Sequence, residues 1–177
     1  ILQEKLVVRE GLLFHNSSEK PFTGPVVKHF EIGQLMVKAI LKDGKLDGPV
    51  EAYHENSQLA SKGSYKDGEQ DGVWEAYHEN GQLKERSNYE GGKMDGVWEQ
   101  YDNNGQLRKS TSFIEGESNG PWTYYNENGQ LDEKSNWKDG EIDGLSERYY
   151  PNGQLWWKEN YKDGKPDGLI EYYHPSG

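Results

Sequence analysis

The chain repeats itself every 24 residues, and so short and regular a period admits only architectures that stack small units in a line. Gly24, Gly48, Gly72, Gly96, Gly120, Gly144 and Gly168 keep that spacing without exception. Gly33, Ser57, Gly81, Gly105, Gly129, Gly153 and Gly177 form a second column, and Leu35, Leu59, Leu83, Leu107, Leu131 and Leu155 a third. A column of tyrosines runs through Tyr53, Tyr77, Tyr101, Tyr125, Tyr149 and Tyr173, and one of mixed type through Leu41, Tyr65, Tyr89, Phe113, Trp137 and Tyr161. No insertion interrupts the period between Gly24 and Gly177.

One unit shows what the period encodes. Asn80-Gly81 and its sister glycines Gly105, Gly129 and Gly153 mark a hairpin turn, since Asn and Gly both tolerate positive φ. A second turn, Asp139-Gly140-Glu141-Ile142-Asp143-Gly144 in one copy, is read as the looser of the two. The stretches between turns have the length of strands and are too short for helices. The expected fold is all-β: an elongated, single-layer antiparallel meander of hairpin repeats. A two-residue turn at Asn80-Gly81 would pair His78 with Leu83, Ala76 with Glu85 and Trp74 with Ser87. That register puts Trp74, Ala76, Leu83, Ser87 and Tyr89 on one face. It sets Glu75 opposite Arg86, Glu51 opposite Lys62 and Glu147 opposite Lys158 on the other, with Tyr77. A three-residue loop with a bulge is the alternative, and it would reassign Tyr77.

Composition decides what holds such a ribbon together. Only 32% of the residues are hydrophobic and the net charge is -11, values typical of a disordered chain, yet the sequence holds 12 Tyr, 6 Trp and 22 Gly. The rings therefore replace an aliphatic core. Trp74, Trp98 and Trp122, with Tyr65, Tyr89, Phe113, Trp137 and Tyr161 on the intervening strands, are expected to stack as a ladder whose equivalent members recur about every 9.6 Å. Residues 24–177 make this array, about six full units and a seventh that stops at His174-Pro175-Ser176-Gly177. Residues 1–23 break the period and are read as an N-terminal capping hairpin over the open edge. The truncated last unit, and Ile1 in place of Met, point to a fragment or a processed chain. In the sixth unit Ser146 stands where its neighbours carry Trp, and Trp156-Trp157 follow; packing reads them as rings moved to the partner strand to fill the same space.

Little in the chain points to chemistry. With no Cys there is no disulfide, thiolate metal site or Cys nucleophile. No G-x-S-x-G, H-E-x-x-H or phosphate-binding glycine loop occurs, so no catalytic residue is assigned and no enzymatic activity or cofactor is expected. His54, His78 and His174 share a column, but copies about 9.6 Å apart cannot share a metal ion. The rows Asp43, Asp67, Asp139, Asp163 and Asp47, Asp71, Asp95, Asp143, Asp167 are read as turn formers, and no metal ligand is assigned. The excess of acid over base argues against nucleic acid or anionic membrane as partner.

The unit G-x-W-x-x-Y-x-x-N-G-Q-L followed by an aromatic and D-G-K-x-D-G resembles the MORN-repeat variant of bacterial proteins. Asn80-Gly81-Gln82-Leu83 and Lys162-Asp163-Gly164-Lys165-Pro166-Asp167-Gly168 carry the resemblance, which covers about residues 24–177. It implies an extended β-sheet used for interactions, with one branch labelled antitoxin or immunity protein and several members bearing envelope-targeting signals. The expected function is a non-enzymatic scaffold for a protein partner, with a lean toward the cell envelope or secretion. Tyr53, Tyr77, Tyr101, Tyr125, Tyr149, Trp156 and Trp157 are the candidate interaction surface. A glycan or small-ligand reader that stacks sugars on exposed rings is the alternative, and membrane-surface association, as in other MORN proteins, is a further one.

Overall fold

Each 24-residue unit contributes one hairpin, and consecutive hairpins pair edge to edge into one open antiparallel sheet. The computed structural model describes residues 6–175; the terminal Ser176 and Gly177, and the start of the expected cap at residues 1–5, lie outside them. The long strands include Leu35–Lys42, Lys45–Tyr53, Leu59–Lys66, Glu69–Tyr77, Leu83–Glu90, Gly96–Tyr101, Leu107–Ile114, Gly120–Tyr125, Leu131–Lys138, Glu141–Tyr149 and Leu155–Lys162. Gly24–His29 forms one edge of this sheet, and Lys165–Pro166 with Glu171–Tyr172 forms the other. Every neighbour in space is a neighbour in sequence, which makes the fold the expected meander.

The two turns exchange the roles expected of them. Asp139 and Gly140 both have positive φ, 50° and 80°, and Lys138 pairs directly with Glu141, so Asp-Gly makes the tight two-residue turn. At Asn80-Gly81 only Gly81 enters the left-handed region, at φ 84°. There the Gly81 N–H donates to the His78 carbonyl at 2.8 Å and the His78 N–H to the Gln82 carbonyl at 2.9 Å, closing a three-residue loop. Asn80 holds that loop shut through its side chain: Oδ1 accepts the Gln82 N–H at 3.0 Å, and Nδ2 reaches the Asn103 carbonyl of the next unit at 2.7 Å.

The longer loop corrects the register near the turn. Trp74 pairs with Ser87, Glu75 with Arg86 and Ala76 with Glu85 as expected, but Leu83 pairs with Tyr77 and not with His78. A bulge at Ala76/Tyr77 absorbs the difference and recurs in the other units. Leu83 thereby leaves the Trp74 face for that of Tyr77, and Tyr77 stays beside Glu75.

Ser57 occupies the left-handed position of this loop, at φ 67°, where the sister units have Gly. A side chain there costs about 1–2 kcal/mol. Ser57→Gly is therefore expected to raise stability by about 1 kcal/mol, measured by urea unfolding; a destabilised variant would contradict the strain.

Packing follows one row across the sheet: Val26, Ala39, Val50 and Gly63 pair in turn, then Trp74 with Ser87, Trp98 with Thr111, Trp122 with Ser135, and Ser135 with Ser146. Large rings face small side chains, and Ser87, Thr111, Ser135 and Ser146 are buried beneath them. Tyr65 meets Trp74 edge-on at 5.2 Å and Tyr89 does so from the other side at 6.4 Å. Trp122 lies within 6.4 Å of Trp98, Phe113, Tyr124 and Trp137. The ring contacts thus form two clusters, one around Trp74 and one around Trp122, while the Tyr161 hydroxyl donates to Glu159 at 2.6 Å. In the sixth unit Ser146 pairs with Glu159 and is buried, and Trp157, opposite Arg148 on the partner strand, stands on the same face two positions along.

Residues Leu6–Arg9 and Leu12–His15 form a separate two-stranded sheet. It joins the array at the first Asp-Gly turn, where the Leu13 N–H donates to the Gly44 carbonyl at 3.1 Å. A Cβ on Gly44 would lie 2.9 Å from Leu12 Cβ, so this glycine lets the hairpin approach.

Candidate interaction face

The two faces of the sheet differ in kind. The ring-bearing face is filled by its own side chains, and the opposite face is a set of parallel rows crossing the strands. Its central row is a ladder of alternating charge: Lys38 pairs with Glu51, Glu51 with Lys62, Lys62 with Glu75, Glu75 with Arg86 and Arg86 with Glu99. Ser110 and Thr123 interrupt it, and it resumes as Lys134, Glu147, Lys158 and Glu171. The Lys38–Glu51 and Lys62–Glu75 ion pairs close at 2.8 Å and Arg86–Glu75 at 3.0 Å.

The tyrosine column lies beside this ladder and is tied to it. The Tyr77 hydroxyl donates to Glu75 at 2.6 Å, Tyr149 to Glu147 at 3.1 Å and Tyr173 to Glu171 at 2.8 Å, and Tyr53 donates likewise to Glu51. Lys38, Lys62 and Lys158 sit over the rings of Tyr53, Tyr77 and Tyr173 at 5.9, 5.8 and 5.6 Å. Burial raises the pKa of Tyr77, Tyr101 and Tyr149 first, and the neighbouring glutamate adds to it. Of the other candidate surface residues, Tyr125 pairs across to Leu131 and is half-buried. Trp156 is exposed, tilts against Tyr150 at 5.7 Å and carries Arg148 over its ring. Trp157 lies between Arg148 and Tyr172.

Glu75 is the most strongly held member of the ladder. Hydrogen bonds from Lys62, then from Tyr77, push its carboxyl down to about 2 from an ordinary 4.5, against the opposing cost of burial. A carboxyl depressed in the folded state stabilises fully above its unfolded pKa and loses that contribution as pH falls through the folded one. The stability gap between the wild type and Glu75→Gln is thus expected to be widest above pH 4.5 and to shrink toward zero near pH 2. Urea midpoints at several pH values measure it; a gap independent of pH would remove Glu75 as an anchor.

A third row on this face went unnoticed in the sequence. The residue after each repeat glycine is apolar: Pro25, Pro49, Val73, Val97, Pro121, Leu145 and Leu169. All seven are exposed, Val73 at 55% and Val97 at 54%. Their spacing was available as a signal, but strand alternation alone does not say which face stays open. The partner-strand residues between them are mainly small or polar: Ser64, Asn88, Ser112, Asn136 and Asn160. Near the first edge, Pro25, Val27, Ile40 and Pro49 with Lys38 and Glu51 border a shallow cleft of about 320 Å³.

The turn residues serve the lattice between units. His54 and His78 donate from Nε2 to the carbonyls of Tyr77 and Tyr101 at 3.0 and 3.1 Å, one unit on. Carboxylates of Asp47, Asp95 and Asp143 accept the N–H of Asp67, Glu115 and Asp163 in the following turn. Gly68, Gly92, Gly116, Gly140 and Gly164 each donate their N–H back to the preceding unit.

The profile of the MORN repeat variant matches residues 46–67, 70–90, 94–115, 118–139 and 142–163. No curated protein matches the chain. Among solved structures, a chain of the GtfA/B complex bound to UDP and GlcNAc is similar over 81% of this chain and 25% of its own length, at 16% identity and a TM-score of 0.21. The chain therefore spans a quarter of that protein's length.

Proposed function

Because the chain belongs to the MORN repeat variant family, we propose that it is a scaffold without chemistry of its own, which binds a protein partner on the charge-ladder face. The observation that carries this reading is the line of seven exposed apolar side chains from Pro25 to Leu169, beside a charged row of the sheet. Apolar side chains about 9.6 Å apart with polar ones between them offer a partner evenly spaced anchor points. The alternating ladder is balanced in sign, so it offers no cationic cluster to anionic lipid headgroups. Its strict order of charges suits recognition of a partner with a complementary order. The antitoxin or immunity role is the finer form of the same proposal, with a toxin domain as the partner.

The test is capture from native extract, supplemented with untagged copies of the chain, using the tagged wild type and the variant V73K/L145K. Both positions are exposed, so the variant is expected to keep its circular dichroism. A stoichiometric protein partner bound by the wild type and lost by the variant is expected. Binding that survives both substitutions, or no stoichiometric partner at all, overturns the reading.

A further inference from the structure

We infer that the partner this face fits is a second copy of the same chain, stacked face to face about a two-fold axis that runs parallel to the strands. The inference rests on the scaffold reading above and adds the identity of a partner.

Both rows alternate with the two-strand repeat and so favour an axis between strands over one on a strand; the midpoint of the ladder from Lys38 to Glu171 lies between Glu99 and Ser110 and places it. A two-fold axis parallel to the strands reverses the order of strands and keeps each row facing its own copy. With the axis between strands Gly96–Tyr101 and Leu107–Ile114, positively charged rungs meet negatively charged ones. Lys62 then faces Glu147 of the second copy, and Glu75 faces Lys134. Next to the axis, the interruption at Ser110 and Thr123 sets neutral side chains against Glu99 and Arg86. The apolar row obeys the same parity. Val97 lies over Ser112 of the second copy and Val73 over Asn136, so each knob enters a gap between knobs. An axis placed on a strand would instead oppose Lys to Lys, Glu to Glu and knob to knob.

The size also fits. Eight central strands cover about 38 Å at 4.8 Å each, and three rows with their side chains cover about 20 Å. The footprint is about 750 Å² from each copy, close to the roughly 800 Å² per partner of a standard interface. Twisted sheets stack at about 10 Å, which leaves room for the half-exposed lysines and for bridging water between the ladders.

Light scattering during size exclusion tests this with the full chain. The wild type is expected at twice its 20.3 kDa mass. Val97→Lys, at the centre of the face, is expected to be monomeric, and Val27→Lys, on the same face but outside the footprint, to remain dimeric. The registry is tested by charge reversal. Lys62→Glu and Glu147→Lys are each expected to weaken self-association about tenfold or more, because each opposes like charges twice across the axis. Mixed in equal amounts they are expected to recover a heterodimer, since every crossed pair is then opposite in sign. Thermal melts of each variant separate loss of dimer from loss of fold, and if either reversal unfolds, the Val97/Val27 pair still decides. A monomeric wild type, or a mixture no better associated than its components, overturns the inference. If the wild type is monomeric while V73K/L145K still loses a different partner from extract, the scaffold reading stands and only the second-copy identity falls.

Discussion

Gly63→Ala is expected to destabilise the protein by about 3 kcal/mol, although alanine is the better strand residue by about 0.5–1 kcal/mol. The backbone does not object, because Gly63 is not among the residues of positive φ. The objection comes from Trp74: a Cβ on Gly63 would lie 2.3 Å from Cδ2 and 2.4 Å from Cε2 of that ring. The indole can move away only by giving up its edge contacts with Tyr65 and Tyr89 and the hydrogen bond from Nε1 to the Ser64 carbonyl at 3.2 Å. Urea unfolding gives the loss, and amide exchange should show Leu59–Lys66 and Glu69–Tyr77 losing protection first. The cause is isolated by the double variant: with Trp74→Leu in place the clash is gone, and adding the alanine should then be neutral or stabilising. If Gly63→Ala alone leaves stability unchanged, the ring does not pack on this glycine.

Trp122→Ala should cost about 3 kcal/mol, the lower end of the range for truncating a large aromatic, because the ring is half-buried. This indole touches Trp98 at 6.1 Å, Phe113 at 6.4 Å, Trp137 at 6.2 Å and Tyr124 at 5.8 Å with the rings only 19° from parallel. It also sits mid-array, so its removal cuts the ring cluster that couples the two halves. Stability in a repeat array is a sum over neighbouring units, and a cut in the middle is expected to split one unfolding transition into two. Trp156→Ala is the control. That ring is 38% exposed and rests on Tyr150 and Arg148 at the periphery, so about 1 kcal/mol or less is expected. Equal losses at Trp122 and Trp156 would remove the ring clusters as the source of cohesion.

Those residues also mark where the sequence was legible. The Gly, Leu and Tyr columns gave the hairpin repeat and the order of strands, because a strict period leaves each unit the same neighbours. Cross-strand charges gave the register in mid-strand, where Glu75 does meet Arg86 and Glu147 meets Lys158. The turns were misread because Asn-Gly and Asp-Gly tolerate the same backbone. What separates them is the lateral bond from Asn80 to Asn103, which exists only once a next unit stands alongside. The candidate face was legible in part. The tyrosine column lies on it, but hydroxyls bonded to Glu51, Glu75, Glu147 and Glu171 tie those rings into the ladder, and the exposed members are the apolar residues one strand position past each glycine.

By itself, then, the amino-acid order determined a ribbon of hairpins, since alternation and period are local properties that each unit carries alone. The tertiary structure decided which face is filled and which stays open. That choice depends on whether a ring such as Trp74 finds a Gly63 and a Ser87 beneath it on adjacent strands. Close packing of large against small across strands is a relation between units, and one face achieves it while the other keeps its rows of charge and Val, Pro and Leu in solvent.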